Sequence, residues 1–216
     1  MNGDEAQLRR EALAALRRLD VLGLNRGSSG NLSLRLGEGM LITPTGMGAA
    51  ELAEADWVWC SWAGAVRGAW QPSSEWRFHQ AIYAARPDLC AVVHVHSVHA
   101  AALACLEREL PAFHYMVAVA GGDNVPCVPY HLFGTEALAQ AVAGAFADRC
   151  ACLMAHHGLV AGGATLAQAM TVTLEIEALC ETYLKALAVA EPRRLDAAEM
   201  GAVLERFATY GRAAAR

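Results

Sequence analysis

Two pairs of histidines are the residues whose types and spacing most readily suggest metal chemistry. His94 and His96 are two positions apart in an apolar run, so on a strand both imidazoles face one side while Val93 and Val95 face the other. Two same-face histidines at the end of a strand form half of a typical zinc site, because histidine is the commonest metal ligand. For this pair alone, two ordinary polar residues on an exposed face are an equal alternative.

The second pair, His156 and His157, precedes Gly158 at a predicted turn after an apolar strand. One of these histidines could complete a three-histidine site with an open fourth position, which is the catalytic pattern for zinc or another late divalent ion. The spacing does not say which of the two it is. The alternative is a turn with two solvated imidazoles.

Two short polar segments could bind an anion. Ser73, Ser74 and Glu75 are predicted to begin a helix, whose free N–H groups suit phosphate and would leave Glu75 beside it as a candidate acid/base. A simple serine cap with an acid in the first turn is the commoner meaning of such a segment. The small residues at 27–31 would let backbone amides approach an anion closely, yet they match neither the P-loop nor the dinucleotide fingerprint and are typical of a plain loop. The same ambiguity applies to residues 45–46.

Three further residues bear on proton and carbonyl chemistry. His114 and Tyr115 are possible proton donors, although a lone tyrosine in this context is more typical of a buried aromatic near a strand. Lys185 is the only lysine and falls on a predicted long helix, which argues against a mechanism that uses a lysine imine.

The elements that must position these residues alternate along the chain. Alternating or continuous apolar runs predict strands, and 3.6-residue periodicity with capping residues predicts helices. The predicted strands cover 32–36 (half-buried), 40–43, 57–62, 90–96, 151–155 and 159–161, and the predicted helices cover 5–22, 72–85, 99–106, 135–147, 165–189 and 197–210. The short connection at 37–39 favours antiparallel pairing. The fold class is therefore α/β: three α/β/α layers around a mixed, largely antiparallel central sheet.

Composition limits the remaining possibilities. The 216 residues are 55% hydrophobic and 18% charged without a break in composition, which predicts a single domain over residues 1–216. A net charge of −5 without basic runs argues against a nucleic-acid partner. A polar N-terminus and the lack of an apolar run of ~18 residues predict neither a signal peptide nor a membrane span. Seven scattered cysteines suggest reduced thiols and a cytoplasmic location.

Together these pieces resemble the class II aldolase/adducin family. The segments that resemble the family lie at 23–27, 30–31, 40–46, 72–79, 92–96, 113–116, 120–122, 129–130, 133–135, 156–159 and 209–211. So many ordered segments are more specific than any one of them, and they cover nearly the whole chain. Residues 61–71 depart from the family pattern, and Val95 replaces a polar residue.

The resemblance implies a zinc-dependent aldolase, although Co²⁺, Mn²⁺ or Fe²⁺ would also suit the site. Such an enzyme cleaves a ketose 1-phosphate, for example L-fuculose 1-phosphate or a similar deoxy-sugar phosphate, through a metal-stabilised enediolate. The products would be dihydroxyacetone phosphate and a small aldehyde. The implied assembly is a homotetramer with its sites between subunits.

The resemblance also assigns roles to residues. The metal ligands would be His94, His96 and His157, and the catalytic residues would be Glu75 as acid/base, Tyr115 from a neighbouring subunit and Tyr210 from the C-terminal tail. The substrate phosphate would be bound by Gly30, Asn31, Thr45, Gly46, Ser73 and Ser74. The alternatives on the same fold are a methylthioribulose-phosphate dehydratase, a decarboxylase of sugar-acid phosphates and, more remotely, a non-catalytic adducin-like module that would be expected to lose its metal ligands.

Overall fold

One eight-stranded mixed sheet forms the centre of the protein, which a computed structural model describes over residues 3–209. The strands are β1 (Asn31–Arg35), β2 (Gly39–Ile42), β3 (Val58–Ser61), β4 (Val66–Arg67), β5 (Ala91–Val95), β6 (Cys127–Val128), β7 (Ala151–Met154) and β8 (Gly158–Gly163). Their order in the sheet is β4-β3-β2-β1-β5-β8-β7-β6. Every pair is antiparallel except β6–β7, which is parallel. The predicted mixed, largely antiparallel sheet is confirmed.

Helices cover both faces of this sheet. They are α1 (Gly3–Val21), α2 (Trp76–Ala85), α3 (Val98–Cys105), α4 (Glu136–Ala145), α5 (Leu166–Leu187) and α6 (Ala197–Thr209). The apolar residues of α1, α3 and α5 pack with one face of the central strands, and those of α2 and α4 pack with the other face. Because strand residues alternate between the two faces, Val93 and Val95 belong to the first core and Val92 to the second. The predicted three-layer α/β/α arrangement is confirmed.

Strand β1 differs from its prediction because it is buried on both faces. The prediction of a half-buried strand took Ser33 as a solvent-facing residue, but Ser33 is fully buried. Its hydroxyl lies 2.7 Å from His79 Nδ1 and 3.0 Å from the Tyr83 hydroxyl. A buried hydroxyl is tolerated where it is hydrogen-bonded, and α2 supplies those partners.

The beginning of α2 also differs from its prediction. Glu75 is the residue that precedes the helix rather than an acid in its first turn, and its side chain makes no capping hydrogen bond. The nearby amides are satisfied locally: Glu75 N donates to Ser73 Oγ, Trp76 N to Ser73 O and Phe78 N to Glu75 O. The carboxylate of Glu75 is therefore not used by the helix and turns towards the sheet.

Shorter elements were missed by sequence periodicity. The strands β4 and β6 have two residues each, and Glu54–Asp56 and Tyr115–Ala120 are 3₁₀ helices. Tyr115 was expected to be a buried aromatic near a strand, but it is half exposed in the second 3₁₀ helix. All seven cysteines are free. Within residues 3–209, none of the helices combines the length and the apolar character that a membrane crossing requires.

Candidate metal centre and active site

His94 is the most deeply buried of the predicted ligands. It lies on the central strand β5, where its side chain is fully buried and packs edge-on against Phe78 of α2. Its Nδ1 lies 2.9 Å from the backbone oxygen of Leu159 on the neighbouring strand β8. A carbonyl only accepts, so Nδ1 carries a proton and Nε2 is the nitrogen directed at the centre. This is the usual arrangement of a metal-binding histidine.

His96 and His157 bring two more imidazoles to the same point. The ring centroids of His94, His96 and His157 are separated by 4.7 Å, 4.8 Å and 4.9 Å in the three pairs. The Nε2 atoms of His94 and His96 are 2.9 Å apart. The β5–β8 register opposes His94 to Val160 and Val95 to Leu159, which places the turn that carries His157 beside the end of β5.

The turn between β7 and β8 separates the two adjacent histidines. His156 adopts a left-handed φ of 56°, is exposed, and lies 2.9 Å from Glu107 through its Nε2. His157 instead faces Glu75, with its Nε2 3.1 Å from Glu75 Oε1. The choice between the two histidines, which spacing left open, is thus resolved by geometry in favour of His157.

Gly158 allows this close approach of the two strands. A side-chain Cβ at this position would collide with the backbone oxygen of Val95 and would lie 3.3 Å from His96 Cδ2 and 3.4 Å from His94 Cε1. Glycine at the start of β8 therefore makes room for the imidazoles.

Glu75 completes the cluster with a buried carboxylate. Its Oε2 lies 3.2 Å from His94 Nε2 and accepts a hydrogen bond from Asn31 Nδ2 at 2.8 Å. Its Oε1 is buried and has no hydrogen-bond partner. Burial by itself would raise the pKa of Glu75, but the adjacent His94 and His157 hold that pKa below its ordinary value. Glu75 is therefore an anion that faces imidazoles.

These four side chains fit a metal ion. One ligand atom from each of Glu75, His94, His96 and His157 lies within 4.8 Å of all the others. Burial and then the neighbouring His94 and His157 lower the pKa of His96 to about 4, which keeps its ring neutral and able to coordinate. Three imidazole nitrogens and one carboxylate suit zinc or a similar divalent ion, and a cation would also satisfy the orphaned Glu75 Oε1.

A cavity of about 350 Å³ opens directly above the cluster. All six residues predicted to bind phosphate line it: Gly30, Asn31, Thr45, Gly46, Ser73 and Ser74. Its walls come from separate loops that are joined by backbone hydrogen bonds, namely Thr45 N to Gln71 O and Ser73 N to Thr43 O. Ser28 and Ser29, from the 27–31 segment that was considered as an anion-binding loop, also line the cavity. The other residues of the wall were not predicted to line it, and these are Pro44, Tyr130, His131, Phe133 and His156. Aromatic residues in a loop carry no periodic signal that would have found them.

A buried network behind the cavity was also missed. His79 of α2 is fully buried, with Nδ1 2.7 Å from Ser33 Oγ and Nε2 against Asn31 Oδ1. Burial lowers the pKa of His79 to about 3, so its ring is neutral. The network joins α2, β1 and Glu75 across sequence separations of 44 to 48 residues, and no local pattern indicates it.

Of the remaining predicted catalytic residues, only Tyr115 belongs to the described part of the chain. Tyr115 is half exposed and is not among the described residues that line the cavity. Tyr210 falls beyond the described residues. Lys185 lies on the exposed side of α5 and pairs with Glu181, away from the cluster.

The fold, together with a centre of four residues that could hold a metal ion, belongs to a class of proteins that comparison with known proteins identifies. The pattern of the family described as "Class II Aldolase and Adducin N-terminal domain" matches residues 10–184. The chain belongs to this family.

Individual relatives are similar over nearly their whole length. The 5-methylthioribulose-1-phosphate/5-deoxyribulose-1-phosphate aldolase of Rhodospirillum rubrum is 49% identical, over 98% of this chain and 96% of its own. The L-fuculose phosphate aldolase of Escherichia coli K12 is 45% identical, over 95% of this chain and 96% of its own. A solved structure of an L-fuculose 1-phosphate aldolase superposes with a TM-score of 0.90 at 37% identity and covers 96% of this chain and 98% of its own. The predicted enzyme class, a lyase of the class II aldolase type, is confirmed.

Proposed function

We propose that this protein is a zinc-dependent aldolase that reversibly cleaves a ketose 1-phosphate to dihydroxyacetone phosphate and a small aldehyde. The observation that carries the proposal is the anionic Glu75 carboxylate, 3.1–3.2 Å from two imidazole Nε2 atoms below a cavity walled by hydroxyls and glycines. That combination joins a metal centre, an acid/base and an anion-binding wall in one site.

His94, His96 and His157 would hold the metal, and Glu75 would lie beside it. A bound divalent ion would supply a Lewis acid that stabilises the negative charge left on the ketose fragment when the C3–C4 bond breaks. Glu75, already a carboxylate, would remove the proton from C3 in the synthetic direction. After cleavage it would return to this carbon a proton that it has first taken up from solvent.

The loops around the cavity would bind the phosphate group. Gly30 has a φ of 75°, and a Cβ there would collide with Asn25, so this backbone approaches the cavity as only glycine can. The hydroxyls of Thr45, Ser73 and Ser74 would add donors. Because the net charge is −5, the anion would be bound by local dipoles rather than by an overall positive field.

A second subunit would complete the site. During cleavage the C4 hydroxyl would give its proton to the phenolate form of Tyr115, and in the synthetic direction the phenol would protonate the aldehyde oxygen. The half-exposed position of Tyr115 outside its own cavity suits a role in a neighbour's cavity. We propose the homotetramer, with Tyr210 from the C-terminal tail as a further contributor and with the cytoplasm as the location, on the resemblance stated above.

For the aldehyde half, we propose a deoxy-sugar phosphate. The wall of the cavity includes Tyr130 and Phe133, which are 58% and 60% exposed and offer apolar surface to a methyl or methylthio end. The substrates to compare are 5-methylthioribulose 1-phosphate, 5-deoxyribulose 1-phosphate and L-fuculose 1-phosphate, which the names of the similar enzymes suggest.

The test is a cleavage assay on zinc-loaded protein, with dihydroxyacetone phosphate detected by a coupled dehydrogenase. We expect release from at least one of the three ketose phosphates, and we expect chelation to abolish it. Mixing Glu75→Gln with Tyr115→Phe subunits, each inactive alone, should restore part of the activity if the site lies between subunits. Absence of release from all three substrates by metal-loaded protein would contradict the proposal.

A further inference from the structure

His79 touches neither the cavity nor the metal cluster, yet it lies one contact away from Glu75. It is fully buried on α2, it stacks on Phe78, and its two nitrogens meet Ser33 and Asn31. Asn31 in turn meets Glu75. Because both ring nitrogens of this buried histidine have a hydrogen-bond partner, hydrogen bonds fix its orientation in addition to packing. Each of these hydrogen bonds has a direction, from donor to acceptor.

That direction follows from the chemistry at Glu75. A carboxylate only accepts, so the NH₂ group of Asn31 faces Glu75 and its Oδ1 faces His79. The Nε2 of His79 must then carry the proton, and its Nδ1 accepts from the Ser33 hydroxyl. The Tyr83 hydroxyl, which donates to the backbone oxygen of Ser33 at 3.0 Å, closes the buried end. The hydrogens that Ser33, His79 and Asn31 donate in this chain therefore all point towards Glu75.

We propose that His79 is a positioning residue that fixes the amide orientation of Asn31, so that both Asn31 N–H bonds serve the active site. One N–H holds Glu75 Oε2. The other has no acceptor among the hydrogen bonds of residues 3–209 and is left to donate to the anionic end of the substrate. Only the part of this inference that concerns the substrate rests on the proposed function. The orientation of the Asn31 amide is a property of the protein alone.

An amide turned the other way would harm the site twice. Asn31 Oδ1 would then meet the Glu75 carboxylate, oxygen against oxygen, and an acceptor would face the substrate's phosphate. His79 prevents this because its Nε2–H is a donor and requires the amide oxygen of Asn31 as its acceptor. Such buried partners of site residues typically change activity by about 10- to 100-fold when they are removed.

The first test reads the tautomer directly. Nitrogen-15 NMR of histidine-labelled, zinc-loaded protein distinguishes the Nε2–H ring from the Nδ1–H ring, and a His79→Gln sample assigns the signal. We expect His79 to be neutral and protonated at Nε2, with and without zinc. A ring protonated at Nδ1 would overturn the proposal, whatever the enzyme cleaves.

The second test compares two variants of equal length. Gln places an N–H near the position of the histidine Nε2, and Met places none there. We expect His79→Met to lower kcat/KM about 10- to 100-fold. The kcat should fall because Glu75 is held less well, and the KM should rise because Asn31 binds the substrate phosphate less well. We expect His79→Gln to recover most of the loss. Equal kcat and KM in both variants, with only a lower Tm, would mean that His79 has a merely structural role and would overturn the proposal.

The two tests also separate this inference from the proposed function. If the wild type cleaves none of the ketose phosphates, the proposed function fails, and the NMR result still decides the orientation of Asn31. If the wild type is active and the two variants do not differ, the inference alone fails.

Discussion

Two glutamate–histidine clusters lie at the same end of β5, and their hydrogen bonding differs. In one, Glu177 of α5 accepts from Ser97 Oγ at 2.6 Å, from His99 N at 3.0 Å and Nδ1 at 2.9 Å, and from Ala100 N at 2.9 Å. In the other, Glu75 accepts one hydrogen bond, from Asn31, and its Oε1 has none. Both clusters flank the short segment that carries His96.

The difference separates a cluster that stabilises the start of a helix from a cluster that we propose takes part in the reaction. The carboxylate of Glu177 satisfies the amides that begin α3, so it caps a helix from a distance and its bonding is complete. Glu75 is buried with unmet bonding capacity beside imidazoles, which costs stability unless a cation or substrate arrives. A count of histidines and glutamates would not separate the two clusters, whereas their hydrogen-bond partners do.

The largest expected effect comes from Glu75→Gln. Loss of a general acid/base should lower kcat about 10²- to 10⁴-fold, because the amide cannot carry the proton. We also expect bound zinc to remain, because the three histidines are kept, and Tm to fall, because the imidazoles that lower the pKa of Glu75 favour its charged form in the folded protein. Steady-state kinetics, metal analysis and thermal unfolding test this together. A variant with wild-type kcat would remove Glu75 from the mechanism.

A matched pair of substitutions sharpens the comparison at the metal. We expect His157→Asn to weaken zinc binding by at least about 10- to 100-fold, because a ligand is lost. His156→Asn is the control: it keeps a side chain that tolerates left-handed backbone and removes only the exposed pair with Glu107. Zinc competition with a chelating dye measures both. Equal weakening by the two variants would contradict the assignment of His157.

The capping cluster should show the opposite response to substitution. We expect Glu177→Ala to lower the free energy of unfolding by about 3 kcal/mol, because the amides of His99 and Ala100 and the hydroxyl of Ser97 lose a charged acceptor. Glu177→Gln should lose less, as one oxygen remains. Urea unfolding of the chelated protein measures this. A larger loss in kcat than in stability would mean that Glu177 belongs to the chemistry.

The buried neutral ring of His79 predicts that the free energy of unfolding depends on pH. Its pKa is lowered from 6.5 to about 3 in the folded protein, so the unfolded chain binds more protons between these values. This contribution to stability is present above pH 6.5 and is lost as pH falls, by on the order of 2 kcal/mol between pH 7 and 5. The His79→Gln variant should lose less stability over this range. Parallel slopes for the variant and the wild type, from urea unfolding at the two pH values, would contradict the buried neutral ring.

Sequence patterns predicted the parts of the site that depend on local geometry. Strand alternation places His94 and His96 on one face without any tertiary information, and the apolar runs at 90–96 and 151–155 identify central strands. The choice of His157 over His156 depends on a left-handed turn at His156, which spacing does not encode. The resemblance supplied that choice.

Other features depend on contacts between distant segments. Burial of Ser33 depends on His79 and Tyr83, 46 and 50 residues away, and the cap on α3 comes from Glu177, 77 to 80 residues away. The two-residue strands β4 and β6 are too short for a period to be read. Helix rules placed Glu75 in the first turn of α2, and only its tertiary contacts with His94, His157 and Asn31 turn it inward.

The position of β5 and β8 in the sheet has a consequence for how metal is acquired. These neighbouring strands occupy the middle of an eight-stranded sheet, with β1 beyond one and β7 beyond the other. Their amides should be among the slowest in the chain to exchange hydrogen with solvent. The imidazoles would then be nearly preorganised before metal arrives, and binding would cost little conformational entropy. The metal-free protein should therefore remain folded and competent to take up the ion quickly.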